Sequence, residues 1–545
     1  VLATIACSAL VLAGCQGSQP PAPDSEHALG NEARANQAIT VSERFARQPE
    51  VLRDEDGSGV EVATRVFEHS ETLVVSDPTP GAQLRAASIA VAAHAPMVVS
   101  HSANNSAIQE AVSRLKVNTV LLVGDPALQD FGATKVVRDP GTEQGLTQLT
   151  ASKFNSVETT EPVKSLAQLQ ANQPVLLRHP DWNLPERGDT PADNFPFQSV
   201  QDGGSAPVVV VTEESSLASV ASAKAFGAQV RYLSYPDPRV DDKAMEAVAG
   251  LSEAPLLALG RQFGDSATLQ RRIQMGEKIT QQQPGGGGLV FPGRRIVALY
   301  GHPSGPALGA MGEQPPAEAV ARVKDLAAQY QHHSAEPVVP AFEVIATVAS
   351  GGPGADGDFS NESDPQELVP YIDAITQAGG YAILDLQPGR ASLLQQAQRY
   401  EELLKRPNVG LALDPEWKIG PSERPMQRVG SAEAAEINEV SDWLATLTRE
   451  NKLPQKAFVL HQFQLQMIRD REQLNLSHDE LAFVLHIDGH GSTGDKFATW
   501  DTMREGLDPR FFLAWKNFID EDKPMFNPER TMNEVRPRPW LVTYQ

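Results

Sequence analysis

The chain has 545 residues, a formal net charge of −23 and 41% hydrophobic content, enough apolar residue for two or three cores. The acidic balance excludes nucleic-acid binding, which needs clustered Lys and Arg against phosphate. The two cysteines, Cys7 and Cys15, both lie at the N-terminal end, so the body offers no thiol for a disulfide, a thiolate metal ligand or a nucleophile.

Residues 1–14 (VLATIACSALVLAG) are a short apolar run that ends in small residues and passes into a Pro-rich polar stretch. The run is too short to span a bilayer comfortably and reads as an export signal, although no Lys or Arg precedes it. Leu12-Ala13-Gly14-Cys15 resembles the bacterial lipobox. That resemblance implies a signal peptide over 1–15 and a lipid on Cys15, tethering the body to the outer face of the plasma membrane. Residues 16–66 are rich in Pro, Ser, Glu and Ala and read as a flexible polar spacer, with 37–66 partly ordered against the first domain.

From 67 to 280 short apolar strands alternate with Ala-rich helices. Strands are predicted at 72–76, 97–100, 119–124, 174–177, 207–212, 229–233 and 255–260, and helices at 81–94, 106–116 and 216–226. Continuous apolar strands in such alternation predict a parallel, Rossmann-like α/β layer. No Gly-x-Gly-x-x-Gly follows a strand, so no dinucleotide and no other cofactor is expected. Around 87–124, an Ala-rich helix leads into Pro96-Met-Val-Val-Ser100, a polar turn, a second helix and Val117-Asn-Thr-Val-Leu-Leu-Val-Gly124. This module resembles the second type of bacterial cell-wall-binding repeat, with fainter echoes at 206–233 and 255–260. Gly124-Asp125 stands where that family usually shows Gly-Gly. The resemblance implies non-covalent binding of an anionic wall polymer.

Gln281–Gly288 (QQQPGGGG) reads as a flexible linker, placed at 281–290. Beyond it, over 291–545, strands are predicted at 295–300, 337–342, 381–386, 409–414, 456–461, 481–487, 511–515 and 540–544, with helices between most of them. Asp364, Pro365 and Glu367 form a helix start before 368–378, Gly379-Gly380 a stop, and Ser431 a cap for 432–450. Eight strands in about 250 residues predict a TIM-type β/α barrel, with an open doubly wound sheet as the alternative.

Residues just past the strands of such a barrel converge on one mouth, and here they are polar. They are Tyr300, His302 and Ser304; Glu343; Asp385, Gln387 and Arg390; Asp414, Glu416 and Trp417; His461 and Gln462; His486 and Asp488; Trp515 and Lys516. Carboxylates brought together repel unless they are used, protonated or neutralised. A carboxylate pair for glycoside cleavage is the first reading, with Glu416 as proton donor, Asp414, Asp385 or Asp488 as its partner, and Trp417 and Trp515 as sugar-stacking faces. Glu343, His302, Gln387, His461, Gln462 and His486 join as binding residues. The commonest barrel glycosidases carry their second carboxylate at strand seven, where this chain has none.

A metal-dependent hydrolase using Glu343, Asp385, His461, His486 and Asp488 is the second reading, although no His-x-His follows strand one and no metal is assigned. A non-catalytic barrel that binds glycan or a wall enzyme is the third. The combination of lipobox, wall-binding-like module and C-terminal barrel resembles lipoproteins of actinobacteria, which implies a cell-envelope place and names no reaction.

Overall fold

A computed structural model describes residues 25–545 except 129, 172, 184–193, 197 and 203–204. The aliphatic runs Thr72–Ser76, Thr119–Val123, Val208–Val211 and Leu256–Leu259 are buried along their whole length, as strands covered on both faces must be. They are the inner strands of two four-stranded sheets. One has the order Met97–Val99, Thr72–Ser76, Thr119–Val123, Lys135–Arg138, the other Pro49–Leu52, Leu256–Leu259, Val208–Val211, Val230–Tyr232. Every pairing in both is parallel. Two Ala-rich helices, Pro80–Ala93 and Leu217–Phe226, pack on one another and are buried on nearly all sides, which small side chains permit.

Composition misleads over 16–66, where a flexible spacer is expected. From Ser25 onward that stretch is ordered: Ser25–Gln37 is a helix, and Pro49–Leu52 pairs in register with Leu256–Leu259. Asn36 Nδ2 donates to Ala249 O at 2.8 Å and Gln37 Nε2 to Gly250 O at 3.0 Å, so the polar side chains satisfy carbonyls of the body rather than water. The export run, Cys15 and the Pro-rich residues after it lie outside the described residues.

In the C-terminal part the predicted strands are all present. Barrel strand one is Arg295–Gly301, two Val338–Ala349, three Tyr381–Leu386, four Val409–Leu413, five Lys456–Gln462, six Leu481–Ile487, seven Phe512–Asn517 and eight Leu541–Tyr544. Each pairs in parallel with the next, and strand one pairs with both two and eight, closing an eight-stranded TIM-type barrel. Helices such as Pro316–Gln331, Pro365–Gln377, Ala434–Glu450 and Thr493–Arg504 cover the outside. Between strands five and six the described residues make the 3-10 turns Leu465–Met467 and Arg471–Gln473 in place of an α-helix.

Asp364 caps its helix, accepting from Gln366 N. Ser431 does not cap the next one: Ala432–Glu433 pairs with Ile468–Arg469, and the Ser431 hydroxyl faces Arg469 Nε at 3.2 Å. Inside the barrel small residues predominate, and Tyr381 fills the space they leave. Gly410 is required there, since a Cβ would stand 3.0 Å from Tyr381 Oη and 2.7 Å from Ala457 O.

The glycine run is pinned rather than slack. Gly287 N donates to Asp242 Oδ1 at 2.7 Å, and Gln283 Nε2 reaches Gln455 O. A Cβ on Gly287, at φ +75°, would meet Val240 O at 2.7 Å, so these glycines serve close approach. Beside them Asp237 is buried against Arg239 at 2.7 Å and Arg272 at 3.3 Å, while Arg272 and Arg271 both reach Asp479 of the barrel.

Burial alone pushes the Asp237 carboxyl up, but Arg239 and Arg272 outweigh it and hold it below its ordinary 3.8. A depressed carboxyl stabilises the fold above its unfolded pKa, and the contribution disappears as pH falls through the folded value. Thermal unfolding should therefore lose stability below about pH 4, and Asp237→Asn should lower the midpoint at neutral pH and flatten the acid limb. Identical acid profiles for the two proteins would contradict this reading of the junction.

Candidate functional site

Strand parity builds the mouth. Ala298, Ala341, Ile383, Ala412, Val459, Val484, Ala514 and Leu541 form one inward layer, with a residue from each strand. Two residues further along each chain, on the same face, stand Tyr300, Glu343, Asp385, Asp414, His461, His486, Lys516 and Thr543. All eight are polar, and none is more than 4% exposed. Above this tier come Asp488 and Gln387, both buried, and half-buried Glu416 on the 3-10 turn Pro415–Trp417.

His461 is the hub. Its Nδ1 lies 3.0 Å from Asp488 Oδ2, and its Nε2 lies 2.9 Å from Glu343 Oε1, 3.3 Å from His486 Nδ1 and 3.8 Å from Asp385 Oδ1. His486 uses its other nitrogen, Nε2, on Thr543 Oγ1 at 2.9 Å. Tyr300 donates to Asp385 Oδ2 at 2.8 Å, receives Gln387 Nε2 at 3.3 Å, and carries Lys516 Nζ 3.9 Å from its ring centre.

The protonation pattern follows from this packing. Burial pulls the His461 imidazole down, but Glu343 and Asp385 outweigh it and hold it well above its ordinary value, as a cation. Burial, reinforced by the charges of His461 and Lys516, drives His486 well below, so it is neutral. Asp385 is pushed up to about 6 by burial, with the charge of Glu343 adding and His461 opposing. Burial and neighbouring carboxylates raise Asp414 well above the carboxylate range. Arg390 and Lys418 do not neutralise this cluster, since Arg390 serves Glu423 O and Lys418 pairs with Glu436.

Three expected binding residues are elsewhere. Trp515 faces outward because Lys516 takes the inward position. It packs on Trp500 and Phe526 behind the barrel wall, with Nε1 on Asn517 Oδ1 at 2.9 Å. Gln462 is opposite in parity to His461 and is spent on Gln464 O, Leu465 O and Arg471. His302 stands at the rim between Ser304 and Ser363, with both ring nitrogens engaged. Trp417 is half-buried beside Glu416. Thr543 was missed and is found by counting parity along strand eight. Tyr300 and Lys516 were visible as strand-end residues without an assigned part.

Among the described residues, two groups of side chains present oxygens or nitrogens close enough to share a cation: buried Glu343, His461 and His486, and the more exposed Asp356, Asp358 and Glu362.

No family model matches the chain, and no curated protein matches its sequence. Among solved structures, Cwp6 from Clostridium difficile superposes with a TM-score of 0.30 at 12% identity, over 63% of this chain and 63% of that one. The match spans less than two thirds of that protein, and a superposition at that score carries no functional argument.

Trp515 is a wall residue, so Trp515→Ala should destabilise the barrel by about 3–5 kcal/mol, whereas Trp417→Ala should change stability far less. Denaturant unfolding of the two variants decides this, and equal losses would contradict the assignment.

Proposed function

We propose that the barrel is a glycoside hydrolase-like enzyme acting on an envelope polysaccharide, with Glu416 as proton donor and Asp488 as base. The observation that carries this reading is the opposite tuning of those two carboxyls. Burial, then the charge of Asp488, pushes Glu416 up to about 7. Asp488, despite its own burial, is held at about 2 by the bond to His461 and that ring's charge. Carboxyls driven apart in this way can serve as acid and base at one pH. Glu416 gives its proton to the glycosidic oxygen as the C–O bond breaks. Asp488 Oδ1, buried without a protein partner, takes a proton from the water that attacks the anomeric carbon. Asp488 ends strand six, so the base does not come from strand seven, where Lys516 stands instead. Asp385 and Asp414 tune the field below them, and Trp417 offers a half-buried face for a sugar ring.

The place of action in this reading is the cell envelope. The apolar run ending at Cys15 supports export and a lipid anchor, and the wall-binding-like module supports retention on an anionic polymer. Among the described residues no helix is long and apolar enough to cross a membrane. Cys15→Ser should move the protein from the membrane fraction to the soluble one. Retention in the membrane would refute the lipid.

Incubating the protein with purified wall polysaccharide, and following products by mass, tests the reaction. Wild type should release fragments, and Glu416→Gln should lower the rate by about 10²–10⁴-fold. Because Glu416 must be protonated, the wild-type rate should fall as pH rises above about 7, a limb absent from the residual activity of Glu416→Gln. Binding without release would leave a wall-binding scaffold and overturn the enzyme reading.

A further inference from the structure

Below the proposed hydrolytic pair, the deepest part of the mouth sets three donor atoms around one point. Glu343, His461 and His486 come from strands two, five and six, and each is fully buried. Three of their atoms face one another: Glu343 Oε1 and His461 Nε2 at 2.9 Å, His461 Nε2 and His486 Nδ1 at 3.3 Å, and His486 Nδ1 and Glu343 Oε1 at 3.8 Å. A triangle with those sides has a circumradius of about 2.0 Å, so one point lies about 2.0–2.2 Å from all three atoms, the bond length of Zn²⁺ to imidazole nitrogen and carboxylate oxygen.

Two further observations point the same way. Each imidazole has its outer nitrogen anchored, His461 Nδ1 on Asp488 and His486 Nε2 on Thr543. That is how ligating histidines are oriented, with one nitrogen left to face the ion. Glu343 Oε2 and Asp385 Oδ1 are also buried with no hydrogen-bond partner, although leaving such atoms unsatisfied is costly. Asp385 Oδ1, 3.8 Å from His461 Nε2, is an oxygen beside the same point.

We propose that Glu343 Oε1, His461 Nε2 and His486 Nδ1 form a binding site for one divalent first-row transition ion, with Asp488 and Thr543 as the positioning residues of the two imidazoles. This narrows the metal-dependent reading of the sequence, which offered Glu343, Asp385, His461, His486 and Asp488 as ligands, to three of those residues. Two imidazoles and a carboxylate suit Zn²⁺, Co²⁺ or Mn²⁺ rather than Ca²⁺ or Mg²⁺, which favour all-oxygen shells. Metal binding is read without turnover, so its failure and that of the proposed glycan hydrolysis are distinguishable. An ion on His461 Nε2 would take the place of the ring's second proton as the positive charge beside Asp488.

The test is calorimetric titration of the full chain, stripped with chelator, using Zn²⁺ alone. One equivalent should bind. Glu343→Gln and His486→Gln should abolish that binding while far-UV circular dichroism stays unchanged. Asp488→Asn and Thr543→Val should weaken it by roughly 10–100-fold, and Asp358→Asn, in the exposed acidic group, should leave it intact. Should the buried variants fail to fold, X-ray absorption of Zn²⁺-loaded wild type gives the same answer, since the site requires scattering from two imidazoles. No binding by wild type, binding that survives His486→Gln, binding lost in Asp358→Asn, or a first shell without imidazole would each overturn the proposal.

Discussion

The charge of His461, enclosed between Glu343 and Asp488, is what the barrel mouth depends on. A buried carboxylate is tolerated only when a partner and hydrogen bonds offset its lost hydration. Three carboxylates lie within 4 Å of this one ring, and it holds two of them through opposite nitrogens. With His461 cationic, Asp488 ionises at low pH while the carboxyls further from it, Asp414 and Glu416, keep their protons. The opposite shifts of Glu416 and Asp488 are thus a consequence of one ion cluster in the floor. Removing that cluster would leave several charges with no counterpart.

The scaffold supports the cluster by contrast in size. Below the polar tier the barrel is filled by small and medium aliphatic residues and by Tyr381, whose hydroxyl accepts from Ala457 N at 3.1 Å. Outside, Leu460, Leu485, Leu413 and Trp515 lock the strands against the helices. A charged junction through Asp237, Arg272 and Asp479, together with the glycine run, joins the barrel to the parallel sheets before it. The contacts at that run are backbone-close, which explains why the chain uses glycine there.

Much of the barrel was legible in the sequence because its strands are apolar, short and separated by helical spacing, so all eight could be placed. Convergence of Glu343, Asp385, Asp414, His461, His486 and Asp488 followed from their common position at strand ends. Parity was not legible where a strand end could slip by one residue. Trp515 and Gln462 each sit next to an inward residue, Lys516 and His461, and a single step reverses the face. The segments around Asn36 and Gly286 were misread for another reason. Polar or glycine-rich composition describes a chain in water, and their partners, Ala249 and Asp242, lie far away in sequence.

A double-mutant cycle on the chelated protein, with His461→Gln and Glu343→Gln, tests the central claim most directly through unfolding free energies. Breaking the buried pair from the His461 side should cost about 3–5 kcal/mol, and adding Glu343→Gln should then cost little more, giving a large coupling energy. Losses that simply add would contradict the account, because His461 and Glu343 would then be independent residues rather than two parts of one charge centre.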